Sequence, residues 1–186
     1  AALVPALAAG FTVIAREPVE GLGLTVVRLA VPAGQSLAKA HAQLDKLLPS
    51  ATVSADNLHL EAGRGSVSSA GANRTARAAA IGTPVGVIDG GVGSGAAAQR
   101  GFAKGAPRAS NHGSAVVSLL SGAGVRSVRV TDVYGADPAG GNALAIAQAL
   151  GWLAQGGAKV VTISLVGPSN PVLARAVAAA QQRGVV

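Results

Sequence analysis

The chain has 186 residues, a formal net charge of +7, 49% hydrophobic residues and only 2% aromatic ones. That length allows one domain, or one with a small companion, and so few aromatic side chains argue against a base-stacking platform for nucleic acid. Cysteine is absent, so there is no disulfide framework, and the redox compartment stays open.

Methionine is also absent, and the sequence reads as an excerpt of a longer chain. Residues 1–15 are apolar, but Pro5 interrupts them and no basic region precedes them. They are unlike an intact signal peptide and too short for a membrane span. Residues 11–16 (FTVIAR) read as a strand, Gly21-Leu22-Gly23 as a turn, and residues 24–31 as a second strand closed by Pro32. Ser36 is placed to cap a helix in which Leu37, Ala40, Leu44, Leu47 and Leu48 follow at helical spacing up to Pro49. Residues 52–60 are a third strand candidate. The order β-β-α-β, after an apolar start that suits the end of a helix, fits a ferredoxin-like β-α-β-β-α-β module lacking its first strand. His41 and His59 have no further ligands at metal-binding spacing. We expect His41 on a solvated helix face and His59 on a strand surface.

Between 63 and 82 the pattern dissolves into GRGSVSSAGANRTARAAAIG, the composition of an exposed connection. The division is therefore 1–63 for a first α+β unit, 64–82 for a linker and 83–186 for a second unit. Arg64, Arg74, Arg77, Arg100, Lys104 and Arg108 are offset locally only by Asp89. A basic nucleic-acid face is one reading; a solvated linker and loop is the simpler one.

Beyond Gly82 strands and helices alternate: strands at 85–89, 127–133 and 158–165, helices at 112–120, 142–155 and 171–183, then a further strand starting at Val185. Gly124, Gly156, Gly157 and Gly184 mark the joins. Such alternation predicts an α/β fold with a mostly parallel sheet and helices on its faces.

The organising stretch runs from Thr83 to Leu120. Residues 85–89 (VGVID) form a short apolar run ending on Asp89, and His112 stands twenty-three residues later at the start of a helix that Ser110 or Asn111 can cap. A carboxylate that accepts the Nδ1 proton fixes the imidazole tautomer and leaves Nε2 as a general base. Open α/β sheets carry their sites at the carboxyl ends of strands. Gly91, Gly93 and Ala96 also match the dinucleotide pattern G-x-G-x-x-A. Against it, Asp89 would face the pyrophosphate, and no acid follows about 20 residues on to hold a ribose. A strand-end Asp and a helix-capping His without partnership is the plain structural alternative.

Three segments, V-G-V-I-D-G-G-V, N-H-G-S-A-V-V-S-L-L and G-A-K-V-V-T-I-S-L-V-G-P, resemble in this order the aspartate, histidine and substrate-strand motifs of the subtilisin-like serine peptidases. The resemblance covers about residues 83–186, and residues 11–63 resemble that family's propeptide, a ferredoxin-like chaperone and inhibitor. It implies a doubly wound, mostly parallel α/β domain and a serine endopeptidase activity, with Asp89 as triad acid and His112 as triad base. It further implies that Ser164, Leu165 and Gly167 form an edge that pairs with an extended peptide substrate, with Gly140 and Gly141 opposite. The implied partners are a peptide or protein substrate and the protein's own C-terminal half, carrying the nucleophilic serine beyond Val186. No cofactor, metal, nucleic acid or membrane span is implied, and the implied location is outside the cytoplasm. The sequence departs from the family pattern at several points, among them His112-Gly113-Ser114-Ala115-Val116-Val117-Ser118 for H-G-T-H-V-A-G and a short segment between Asp89 and His112. Asp89-Gly90-Gly91 stands for D-[ST]-G, Val166 stands where glycine is usual, and the segment after the His112 helix lacks a calcium-binding insertion. A reading from another class is a catalytically silent domain that binds peptides or inhibits a peptidase.

Overall fold

A computed structural model describes residues 2–62, 79–136 and 141–186. The chain opens with helix α1 (Val4–Ala8), then β1 (Thr12–Val19) and β2 (Leu24–Ala30), an antiparallel pair from Thr12↔Ala30 to Val19↔Leu24. Gly21 and Gly23 make the turn at φ 76° and 67°, a conformation that favours glycine. Helix α2 (Leu37–Leu47) starts where Ser36 Oγ accepts the Lys39 N–H. Its Ala40 and Leu44 bury against Ala6 and Phe11.

The expected third strand is shorter than its sequence suggests, and it leaves this unit. Strand β3 (Leu58–Glu61) does not join β1 and β2, which remain a two-stranded sheet. Where β3 sits, His59 is the side chain turned to the buried side, while Leu58 and Leu60 on its other face stay exposed. One local cause is visible. The preceding residues are held elsewhere: Asn57 O and Asp56 Oδ1 accept the N–H groups of Ala143 and Leu144, at the start of a later helix. Such first-turn N–H groups have no partner within their own helix.

The second unit contains β4 (Val85–Asp89), β5 (Ala98–Gly101), α3 (Asn111–Gly122), β6 (Val128–Asp132), β7 (Gly141–Asn142), α4 (Ala143–Gln155), β8 (Val160–Ile163), β9 (Leu165–Val166) and α5 (Pro171–Gln181). Four strands form a parallel sheet in the order β5-β6-β4-β8. All five residues of β4 are buried, as a central parallel strand requires. Val85 and Val87 pack with Val117 of α3, whereas Ile88 packs with Leu150 and Leu153 of α4 and Ala176 of α5. Helices therefore flank the sheet, α3 on one face and α4 with α5 on the other. Gly86 faces α4 so closely that a Cβ there would stand 2.8 Å from Leu153 Cδ1.

Strand β5 (AQRG) carries no β-branched or aromatic residue. It exists because its backbone pairs with β6, from Ala98↔Arg129 to Gly101↔Asp132. The apolar run expected at 158–165 splits: β8 stays in the sheet, and the chain leaves at Ser164 so that β9 pairs with β3. Val186 exchanges backbone hydrogen bonds with Lys159 and Val161, beside β8. Among the described residues no helix is long and apolar enough to cross a membrane.

The two units share a core. Val19 and Leu22 of the β1–β2 turn belong to the same buried cluster as Ile88, Leu153 and Ala176. Gly151 of α4 is needed there, since a Cβ would collide with the Glu20 carbonyl.

Candidate active site

Asp89 ends β4, the strand that has β6 on one side and β8 on the other. The chain thus winds to one side of β4 and later to the other, and the crevice at such a switch point is where open α/β sheets bind ligands. Asp89 is fully buried, and its Oδ1 accepts the Gly90 N–H at 2.7 Å. His112 lies in the first turn of α3, which Ser110 caps by accepting the Gly113 N–H at 2.9 Å. Small residues let this turn reach the strand end. A Cβ on Gly113 would collide with the Gly90 carbonyl, and one on Gly90 would collide with Ser110. The outcome is a short pair: His112 Nδ1 lies 2.8 Å from Asp89 Oδ2 and 2.9 Å from Oδ1.

The other ring nitrogen meets the chain's own first unit. β3 runs antiparallel between two edges, with Leu58↔Asn142 and His59↔Gly141 on β7, and Leu60↔Val166 and Glu61↔Leu165 on β9. The Ala62 N–H then donates to Ser164 O at 2.9 Å. The Ala62 carbonyl oxygen lies 2.7 Å from His112 Nε2. Ser164, Leu165 and Gly141 are thus gathered with Asp89 and His112 around one extended segment. Gly167 joins them through side-chain space, because a Cβ there would collide with the His59 ring. Gly140 lies outside the described residues, as do Arg64, Arg74 and Arg77. Val166 is 57% exposed and pairs through its backbone, so its branched side chain points away from the strand's buried side.

His59 corrects a sequence expectation. It is only 6% exposed rather than on a strand surface, and its Nδ1 has no hydrogen-bond partner among the described residues. The antiparallel slot turns alternate side chains inward, and His59 is the one that faces Gly167. His41 is half-exposed as expected, with Nδ1 3.1 Å from the Asp45 carboxylate and Nε2 3.1 Å from the Val53 carbonyl.

Burial is the main influence on Asp89 and raises its carboxyl above the ordinary 3.8, helped by the charge of Asp132 and opposed by bonds from His112 and Gly90. For His112 burial works to lower the imidazolium's pKa. The hydrogen bond to Asp89, its charge, the Ala62 carbonyl and the Glu61 charge outweigh burial and raise it above 6.5. Asp132 is a neighbour that sequence reasoning misses. It ends β6 beside Asp89 and accepts N–H groups from Arg108 at 2.6 Å, Tyr134 at 2.9 Å and Gly135 at 2.9 Å. Its place next to Asp89 follows from the parallel register of β4 and β6, which spacing along the chain does not reveal. A cavity of about 270 Å³ opens between these groups, lined by Glu61, Gly90, Arg108, Ser110, Asp132 and Tyr134.

Ligand atoms of Glu61, Asp89 and His112 come within 4.8 Å of one another. Both imidazole nitrogens are already hydrogen-bonded, so the arrangement is that of an oriented base rather than a metal cage. Chemically it holds one imidazole by a buried carboxylate and presents a peptide carbonyl to its far side. No family model and no curated protein matches this chain.

Proposed function

We propose that this chain is the propeptide and first part of the catalytic domain of a subtilisin-like serine endopeptidase. One juxtaposition carries the reading: a peptide carbonyl on a two-edged backbone slot lies against Nε2 of an imidazole whose Nδ1 is held by a buried aspartate. In this reading residues 83–186 belong to a doubly wound peptidase domain, and residues 1–63 are a ferredoxin-like propeptide whose last strand is diverted into the substrate cleft. Residues 64–82 connect them. Asp89 and His112 are acid and base; Ser164, Leu165 and Gly167, with Gly140 and Gly141 opposite, form the substrate edges.

The serine nucleophile comes from the part of the peptidase domain that follows Val186. Its hydroxyl attacks the carbonyl carbon of a substrate residue held where Ala62 now sits, and His112 Nε2 takes the hydroxyl proton. His112 returns that proton to the departing amine, and water then hydrolyses the acyl-enzyme. The bond after Ala62 occupies the cleaved position, which makes it the chain's own first substrate. Export from the cytoplasm follows from the same reading. No metal or cofactor takes part.

The alternative is a catalytically silent domain that holds or inhibits peptides. It is favoured by one observation: His112 Nε2 is already occupied by Ala62 O, with no serine hydroxyl bonded to it among the described residues. A fluorophosphonate probe with mass spectrometry separates the two. The peptidase reading expects labelling of a serine only in a version extended beyond Val186, lost in His112→Ala. Labelling of a serine within the 186 residues would relocate the nucleophile, and no labelling of any version would leave the silent domain.

A further inference from the structure

The hydrogen bonds of His112 contain a proton count. Nδ1 faces two carboxylate oxygens of Asp89 at 2.8 and 2.9 Å, and Nε2 faces the Ala62 carbonyl at 2.7 Å. Carboxylates and carbonyls only accept, and a neutral imidazole donates from one nitrogen alone. Both contacts are satisfied only when the Asp89–His112 pair holds two protons. These are either two imidazole N–H groups against a carboxylate, or an Asp89 O–H and an Nε2–H. With only one proton on the pair, a carboxylate beside a neutral imidazole, lone pairs would oppose each other across one of the two gaps.

We propose that β3 docks into the cleft with uptake of one proton by the Asp89–His112 pair, so that rising pH loosens the chain's own strand from the site. The proposal takes from the peptidase reading only that β3 is the occupant of the cleft. The charged groups that face the pair come from each described element around it. Asp89 comes from β4, Glu61 from β3 and Asp132 from β6; Arg108 lines the adjoining cavity, and α3 itself carries no charged residue. Two of the three acids favour the protonated imidazole directly, and one of them, Glu61, arrives with the strand. The docked imidazole, raised above 6.5, agrees with the geometry.

The sign is fixed by linkage. Docking is strongest below the His112 pKa of the open cleft, weakens as pH rises toward the higher pKa of the docked state, and is constant beyond it. Between those limits one linked proton makes the docking constant fall about tenfold per pH unit. A high-pH environment would therefore open the site, and a low-pH one would keep it covered.

The test is amide hydrogen exchange of the whole chain across pH, scored as protection relative to intrinsic rates, with the imidazole nitrogen shifts of His112 followed by NMR. Protection of residues 58–62 should fall about tenfold per pH unit in that window, while the α4 amides, which report global folding, stay constant. His112→Gln keeps an N–H donor but does not titrate and should abolish the dependence. Asp89→Asn removes the charge that favours imidazolium and should move the window down by about 1–3 pH units. His41→Gln removes the other imidazole that sits between two acceptors and should change nothing at β3. A neutral His112 beside an ionised Asp89 beneath a protected strand, pH-independent protection, or a dependence surviving His112→Gln or lost with His41→Gln would each overturn the proposal. Fluorophosphonate labelling is independent of these outcomes, so a failed proton count and a failed peptidase reading remain distinguishable.

Discussion

Gly167 shows how one missing side chain shapes the cleft. The His59 ring occupies the space where its Cβ would be, so the slot is matched to a flat ring resting on bare backbone. Gly167→Ala should weaken docking of β3 by about 1–3 kcal/mol, as overfilling a packed contact does. Exchange protection of Leu60 would fall while that of β4 stays; equal loss in both would mean general unfolding instead. At this scale the sequence is informative where chemistry is sparse. Asp89 and His112 stand out because so few acids and histidines surround them, and they do meet. Asp132 and the buried His59 do not stand out, because their neighbours come from strands far apart in sequence.

Helix starts do much of the positioning. Ser110, Asn142 and Asn170 each accept an N–H of the following first turn. Ser110→Ala should cost about 1 kcal/mol of stability in denaturant unfolding. It should also broaden the His112 imidazole signals, because the same turn carries the ring. Sharp, unshifted signals would show that the turn is held by Asp89 alone. Elements with a strong apolar pattern are legible in the sequence: α2 with its Ser36 cap, the body of α4, and β4 from its first residue to its last. Ser110, not Asn111, is the cap of α3. β5 is illegible because it has no strand-forming side chains. The pairing of β3 is hidden because partners, unlike periodicity, are set by the rest of the molecule. Asp56 makes the point: it accepts Leu144 N at 3.2 Å and pairs with Arg28 at 3.1 Å, drawing the chain toward α4.

Over the whole molecule, the first unit is not a loose appendage. Leu22 is 3% exposed within a cluster built mainly by α4 and α5, with Ile88 of β4. Leu22→Ala should cost about 2–5 kcal/mol. It should also lower one common unfolding midpoint, with an unchanged denaturant slope. Two separated transitions in the parent chain would show instead that the units fold independently.

The bond after Ala62 has a consequence for how long the cleft stays covered. While the chain is continuous, β3 competes for its slot at the fixed local concentration of a tethered segment. In the peptidase reading, cutting that bond would make residues 1–62 a separate molecule, and the same contacts would have to hold it against dilution. Occupancy would then become a matter of volume: crowded product would stay covered, and the same product released into a large space would uncover itself. The shared cluster around Leu22 sets how far the dilution has to go.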